Sequence, residues 1–328
     1  MVTRPVRLHT LLLSILLAVF LIWLSLRGTD LAAFIESVRS AHYAWILPVI
    51  GVTLLSHWIR AYRWQALIVA LPEDSKSRVS TLDLFASVMV GYMVNYAVPR
   101  AGEIARCAHL STRKKLSFSA LLGTVAVERI ADLLVSGFGL LITLVLVRER
   151  LQSLFEQLPL SQLPWVWIAI GCLMIAIIIY LGLRLKITAP LRSRVSALIT
   201  QFACGFKTVY RTPKRWQLIW TTVIMWLMYG FMAYIPLLMF DLHITASLSY
   251  WDGLAIMFIG VLGILVPTPG GAGSFHGITI LTLTSIYGIT RPDAAAYAIF
   301  VHGAQLILYL AIGGVILLTS AVTSRAKI

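Results

Sequence analysis

Acidic residues are scarce in this sequence. Thirteen Asp and Glu stand against 27 Lys and Arg in 328 residues, and charged side chains of either sign make up only 12%. A water-soluble domain of this length would be about a quarter charged. Nowhere does the chain stay polar for long enough to build a separate soluble module, which excludes a catalytic domain beside a membrane anchor. Cysteine is nearly missing too. Cys107, Cys172 and Cys204 follow neither a disulfide nor a metal-ligand spacing, and each sits among apolar neighbours as a packing residue. Also missing are His-Glu-x-x-His, the phosphate-cradling P-loop, the Gly-x-Ser-x-Gly nucleophile elbow and the Asp-rich pairs that hold a diphosphate. The expectation is a protein that is not an enzyme, with no metal and no cofactor, and that ATP does not drive directly.

What the chain has is hydrophobic length: 59% hydrophobic residues and a mean hydropathy of +0.88. Long apolar runs recur from end to end, which predicts an all-α polytopic membrane protein. A net charge of +14 would suit nucleic acid, but its distribution argues otherwise. Residues 184–215 carry Arg184, Lys186, Arg192, Arg194, Lys207, Arg211, Lys214 and Arg215 without one acid, as a cytoplasmic loop beside anionic lipid does. Within it Leu191, Val195, Leu198, Phe202, Phe206 and Val209 keep helical spacing, which predicts an amphipathic helix on the inner membrane surface. Membrane lipids are thus the expected partners and nucleic acid is not. A second copy of the chain or a separate lipid-modifying enzyme stays open as a protein partner.

Arg4 and Arg7 precede an apolar run over 11–26 that no small-x-small cleavage site follows. This predicts a first spanning helix with its N-terminus in the cytoplasm. The mixed stretch 27–43 then forms an outer loop, and a second helix over about 44–66 returns to Lys76 and Arg78 inside. Residues 82–98 are apolar and just long enough to cross, yet Arg100, Arg106 and Arg113-Lys114-Lys115 follow. A full crossing would leave that basic cluster outside. A chain that enters, breaks at Pro99–Gly102 and comes back keeps it inside, which predicts a re-entrant hairpin over about 82–112.

Further spans are expected over 118–147, 165–183, 216–240 and 294–319. Two short apolar stretches, 254–266 and 275–286, flank Pro267-Thr-Pro-Gly-Gly-Ala-Gly-Ser-Phe-His276 and predict a second hairpin over about 251–288. The result is a single transmembrane domain over 1–328 with about six full spans, two re-entrant broken hairpins and both termini cytoplasmic. Its place is the cytoplasmic (inner) membrane, crossed many times. Two interrupted segments in corresponding halves point to a transporter's binding site.

Most acids lie in loops or at predicted helix starts, as Asp83, Asp252 and Asp293 do. Glu103, Glu128 and Asp132 do not. Glu128 and Asp132 fall on one helical face near mid-membrane depth, with Arg129 three before Asp132. At roughly 3 kcal/mol each, three such charges cost near 9 kcal/mol, and about fifteen apolar neighbours at roughly −0.5 offset most of it. The helix inserts, but its charged face must meet partners or water. That face is either an Arg–carboxylate clamp that fixes packing or a direct participant in transport, and the two are compatible.

Arg100 and Arg106 flank Gly102 and Glu103, where a planar guanidinium and a half-helix N-terminus suit a phosphate, or where the arginines neutralise Glu103 and Glu128. Gly270, Gly271 and Gly273 permit close backbone approach, and Ser274 would cap the following half-helix, leaving amides as an anion cradle or simply a tight turn. His276 and His302 are proton-relay candidates or hydrogen-bonded packing residues. Asn95, Pro99, Pro267 and Pro269 are structural, Asn95 as interhelical glue.

These residues resemble the lysylphosphatidylglycerol synthase transmembrane-domain family of flippase-like proteins. The matching pieces are Asn95-x-x-x-Pro99-Arg100-x-Gly102-Glu103-x-x-Arg106, Val127-Glu128-Arg129-x-x-Asp132 and Pro267-x-Pro269-Gly270-Gly271-x-Gly273. The resemblance implies an all-helical membrane fold and movement of lipid between leaflets. The aminoacyl-lipid synthase domain of bifunctional members is absent, so aminoacylation is not implied. A lipid flippase or scramblase is the expectation, for a phospholipid or a polyprenyl-phosphate-type lipid. The alternative is a polytopic enzyme or accessory subunit acting on polyprenyl-phosphate-linked sugars.

Overall fold

Short polar caps start long apolar rods, and this pattern sets the architecture. The computed structural model describes residues 8–69, 71, 79–150, 213–264, 266 and 268–325, and among them every regular element is a helix. In chain order they are α1 (Leu8–Leu26), α2 (Leu31–Ser40), α3 (Ile46–Ile68), α4 (Thr81–Ala97), α5 (Gly102–Lys114), α6 (Phe118–Leu146), α7 (Arg215–Met239), α8 (Leu242–Thr245), α9 (Tyr250–Ile264), α10 (Ser274–Ser285) and α11 (Arg291–Arg325). The scarce acids stand where helices begin. Asp83 pairs with Ser80, Asp252 with Ser249 and Asp293 with Thr290, each carboxylate accepting a hydroxyl hydrogen bond at 2.6–2.8 Å. A carboxylate there meets otherwise unsatisfied amides and the positive end of the helix dipole.

Among the described residues, four segments are long and apolar enough to cross a membrane: Tyr43–Ile68, Phe118–Leu146, Arg215–Met239 and Arg291–Ser320. The pair Leu12–Leu26 and Leu31–Ser40, bent by 92°, makes a fifth if it is one span. The expected span over 165–183, and the amphipathic helix over 184–215 as far as residue 212, lie outside the described residues. One expectation needs correcting. Most of 27–43 is not a loop but α2, because Asp30 accepts hydrogen bonds from the amides of Ala32 and Ala33 and so starts a helix. Burial is inverted relative to a soluble protein. Leu133, Phe138, Leu141 and Trp220 are more than half exposed, while Arg60, Arg63, Arg106 and Glu128 are buried. Such a surface suits lipid tails, and such an interior suits polar groups that lipid cannot satisfy.

Both predicted breaks are antiparallel hairpins. Along α4 and α5, Lys114 meets Asp83 at 2.7 Å, Ser87 meets His109 at 2.9 Å and Asn95 accepts the Gly102 amide at 2.7 Å. The chain therefore returns to the side it left, as the basic cluster after Pro99 requires. Gly91 and Gly102 let the arms touch, since a Cβ at Gly102 would strike the Gly91 carbonyl oxygen and the Asn95 amide. Along α9 and α10, the Gly263 position faces the backbone of Ser274 and Phe275 at 2.7–2.9 Å, and Gly260 faces the Phe275 ring and Thr279. Pro269–Gly271 forms one 3₁₀ turn between them. The second hairpin also leans on α1, where Ser25 donates to the Gly273 carbonyl at 3.0 Å.

Candidate functional site

α6 projects Glu128 and Asp132 inward from one face, as their four-residue spacing dictates. Against them α3 brings Arg60 and Arg63, also on one face. Glu128 Oε1 accepts from Arg60 Nη2 at 2.6 Å and Nε at 2.9 Å, and from Arg106 Nη2 at 3.1 Å. Arg63 Nη2 lies 3.4 Å from the same oxygen. Asp132 holds Arg60 Nη2 at 2.9 Å and Arg63 Nη1 at 2.7 Å. Arg60 has further work, since its Nη1 donates to the hydroxyls of Tyr92 at 2.7 Å and Tyr229 at 3.0 Å. All five of its N–H donors are thereby engaged, which is the full capacity of a guanidinium. Arg106 also stacks 4.7 Å over the Trp64 ring.

Among the described residues, charge does not balance here. Buried Arg60, Arg63 and Arg106 face buried Glu128 and Asp132, three guanidiniums against two carboxylates. Nearby Arg100, Arg129 and Glu103 raise the totals to five and three. A surplus of positive charge in a medium of low dielectric is costly unless an anion shares the space.

That space exists. A cavity of about 660 Å³ lies beside the cluster, walled by Arg60, Arg129 and Asp132 on one part and by Tyr96, Gly270 and His302 on another. It opens between α4 of the first hairpin and the turn of the second, with α7, α9 and α11 closing the circuit. Its volume falls within the range of small-molecule sites. Aromatic rings stack into part of its wall. Tyr92 and Tyr309 lie 4.9 Å apart, and Tyr309 shares a 2.8 Å hydrogen bond with His57.

The sequence-predicted residues divide clearly. Arg100, Glu103, Arg129, Asp132, Asn95, Gly270 and Gly271 line the cavity. Arg106 does not; it points at Glu128. Arg129 is the outlier among the cluster's arginines, with a side chain 43% exposed. Its Nη2 reaches Glu128 at 3.3 Å, while Glu103 and Asp132 are 3.7 and 3.8 Å away, beyond hydrogen-bond length. Asn95 ties the two arms of the first hairpin, and Arg100 turns its tip with a left-handed φ of 61°. Pro99 sits in that turn, and Pro269 opens the 3₁₀ turn of the second hairpin. Pro267 lies outside the described residues.

The second break is less open than an anion cradle requires. The amides of Gly271, Ala272 and Gly273 already donate to Thr268 O, Pro269 O and His276 Nδ1 at 3.0–3.2 Å. Ser274 does not cap the half-helix that follows. Its hydroxyl donates at 2.6 Å to the Gly263 carbonyl at the end of α9, because the sharp return brings that unsatisfied carbonyl within reach. His276 accepts the Gly273 amide and packs 4.8 Å from His302.

Arg60 and Arg63 were not singled out from the sequence. The signal was present: two arginines three apart, with His57, inside an otherwise apolar run. Their place near the inner end of that run makes them look like positive-inside residues. Their true role depends on carboxylates 65 or more positions downstream. Tyr96 and Gln305 of the cavity wall carry no sequence signal beyond their polarity.

A family model described as Lysylphosphatidylglycerol synthase TM region matches residues 11–313, nearly the whole chain. No curated protein matches it.

Proposed function

The chain belongs to the lysylphosphatidylglycerol synthase transmembrane-region family of multi-pass membrane proteins, and on that premise we propose that it moves lipid between leaflets as a flippase or scramblase. One observation carries the reading: a buried arginine cluster with more positive than negative charge borders a cavity between two broken helical hairpins. A phosphate entering that cavity would supply the missing negative charge. Arg129, exposed and held by one short contact, is the residue free to meet it, and Arg60 supplies field from behind. The carboxylates keep the cluster together when the lipid leaves. Membrane lipids are then the partners, and the excess of Lys and Arg on the loops expected inside supports a place in the cytoplasmic membrane.

An enzyme using the same cavity would need a base. Asp132 and Glu128 are each engaged by buried arginines rather than turned free toward a substrate, which favours the transport reading. The test is lipid movement in liposomes containing the purified chain, with Arg129→Gln beside the parent. Loss of movement in a variant that keeps its unfolding midpoint is the expected result. Movement at the parent rate would remove Arg129 from the mechanism. Activity that requires Mg²⁺ and a sugar donor would favour the enzyme.

A further inference from the structure

The cavity's polar lining falls into two chemically different groups. One is charged, and its buried acid is already matched. Asp132 has Arg60 at 2.9 Å and Arg63 at 2.7 Å, while Glu103 faces Arg129 at 3.7 Å. An ammonium approaching Asp132 would have to displace a guanidinium, against a local surplus of positive charge. The other group is neutral. Tyr96 on α4 and His302 and Gln305 on α11 line the cavity, with Tyr96 and His302 rings 5.2 Å apart and Gln305 one turn further along the same helical face. Among the described residues, none of these three side chains makes a hydrogen bond. A phenol, a neutral imidazole and a carboxamide each donate and accept, as an alcohol does, whereas an ammonium only donates.

We propose that this cavity selects a lipid whose headgroup joins a phosphate ester to a neutral, hydroxyl-bearing group, a glycerol or a sugar, and rejects headgroups that carry an ammonium. The inference rests on the lipid-translocation reading and narrows it. The phosphate meets Arg129 under the field of Arg60, and the hydroxyls reach Tyr96, His302 and Gln305. Charge surplus and donor–acceptor matching act in the same direction: one attracts the phosphate, the other rewards a headgroup that both gives and takes hydrogen bonds. An ammonium could give hydrogen bonds to these three groups but take none, so their own donors would go unmatched, a penalty that a hydroxyl-bearing headgroup avoids.

The experiment is competition for radiolabelled phosphatidylglycerol bound to the full chain in detergent. Unlabelled phosphatidylglycerol, a sugar-bearing polyprenyl phosphate, phosphatidylethanolamine and phosphatidic acid serve as competitors. The two hydroxyl-bearing lipids are expected to displace the label at least tenfold better than phosphatidylethanolamine, and whichever ranks first identifies glycerol or sugar as the source of the hydroxyls. Gln305→Leu and Tyr96→Phe should each weaken phosphatidylglycerol several-fold while leaving phosphatidic acid, which has no such group, unchanged. Equal displacement by phosphatidylethanolamine overturns the proposal, as does an equal loss for both lipids in the variants or no displacement by any lipid. In vesicles, movement that ignores headgroup sinks this inference and leaves translocation standing. The binding preference without movement of any lipid, with or without a proton gradient, sinks translocation alone.

Discussion

Arg60 Nη2 and Glu128 Oε1 sit 2.6 Å apart, with side chains 4% and 0% exposed, although 68 residues separate them in the chain. Both charges are buried, so each depends on the other. Glu128→Met is expected to destabilise the protein by about 3–5 kcal/mol, because three buried guanidiniums then share Asp132 alone. Arg60→Met together with Glu128→Met restores the original surplus of one and should cost less than the sum of the two single changes. Unfolding midpoints in detergent for the two single variants and the double would check this. Additive losses would show that the pair is not a unit.

Gly102 is the closest point between the arms of the first hairpin. Gly102→Ala drives a methyl into the Gly91 carbonyl and the Asn95 amide, and a loss of about 1–3 kcal/mol or more is expected. Gly123 in α6 has open space around its Cβ position, so Gly123→Ala should be neutral or stabilising by up to about 1 kcal/mol. The same unfolding assay compares them. Equal behaviour of the two would mean the arms are not in contact.

At Gly270 two costs can be separated. Its φ of 59° disfavours any side chain by about 1–2 kcal/mol, and an added Cβ would lie 2.6 Å from the Tyr96 ring. Gly270→Ala should therefore lower the unfolding midpoint in detergent, and Tyr96→Ala in the same chain should restore part of that loss. Full restoration would mean the backbone angle carries no strain. No restoration would mean the ring is not the obstacle.

Asp83 provides a pH signature at the base of the first hairpin. Burial alone raises its carboxyl pKa, but hydrogen bonds from Lys114 and Ser80 outweigh that and hold it below the ordinary 3.8. A carboxyl depressed by folding contributes stability that is fully present above its unfolded value and lost as pH falls through the folded value. The difference in unfolding midpoint between the parent and Asp83→Asn should thus be constant at neutral pH and shrink below about pH 4. A difference that widens on acidification would reverse the assigned sign.

Much of this architecture was legible because its signals are local. A proline and a glycine between apolar stretches, followed by a basic cluster, announced the first hairpin, and two acids on one face of 118–147, with Arg129 beside them, announced the cluster on α6. The serine–aspartate pairs at helix starts were legible for the same reason, lying three residues apart. The partners of Glu128 were not, because nothing near Glu128 in sequence indicates which distant arginine faces it. Arg60 resembles any cationic residue near the inner end of a span until α3 and α6 are set side by side. Likewise the mixed charges of 27–43 conceal α2, which a single cap at Asp30 initiates.

The first hairpin also bears on the order in which the chain can be built. Its tip is satisfied by its own residues, since Asn95 accepts the Gly102 amide, and its base is closed by Asp83 and Lys114. It can therefore fold as soon as α5 has emerged during synthesis, without help from later segments. Arg106 on the same hairpin cannot be neutralised so early, because Glu128 is synthesised 22 residues later. Arg60 waits longer still. The second hairpin has the opposite dependence, because its Gly273 carbonyl is held by Ser25, which is made before it. Insertion machinery must thus shelter unpaired arginines until α6 arrives, whereas the glycine-rich turn meets a partner already in place.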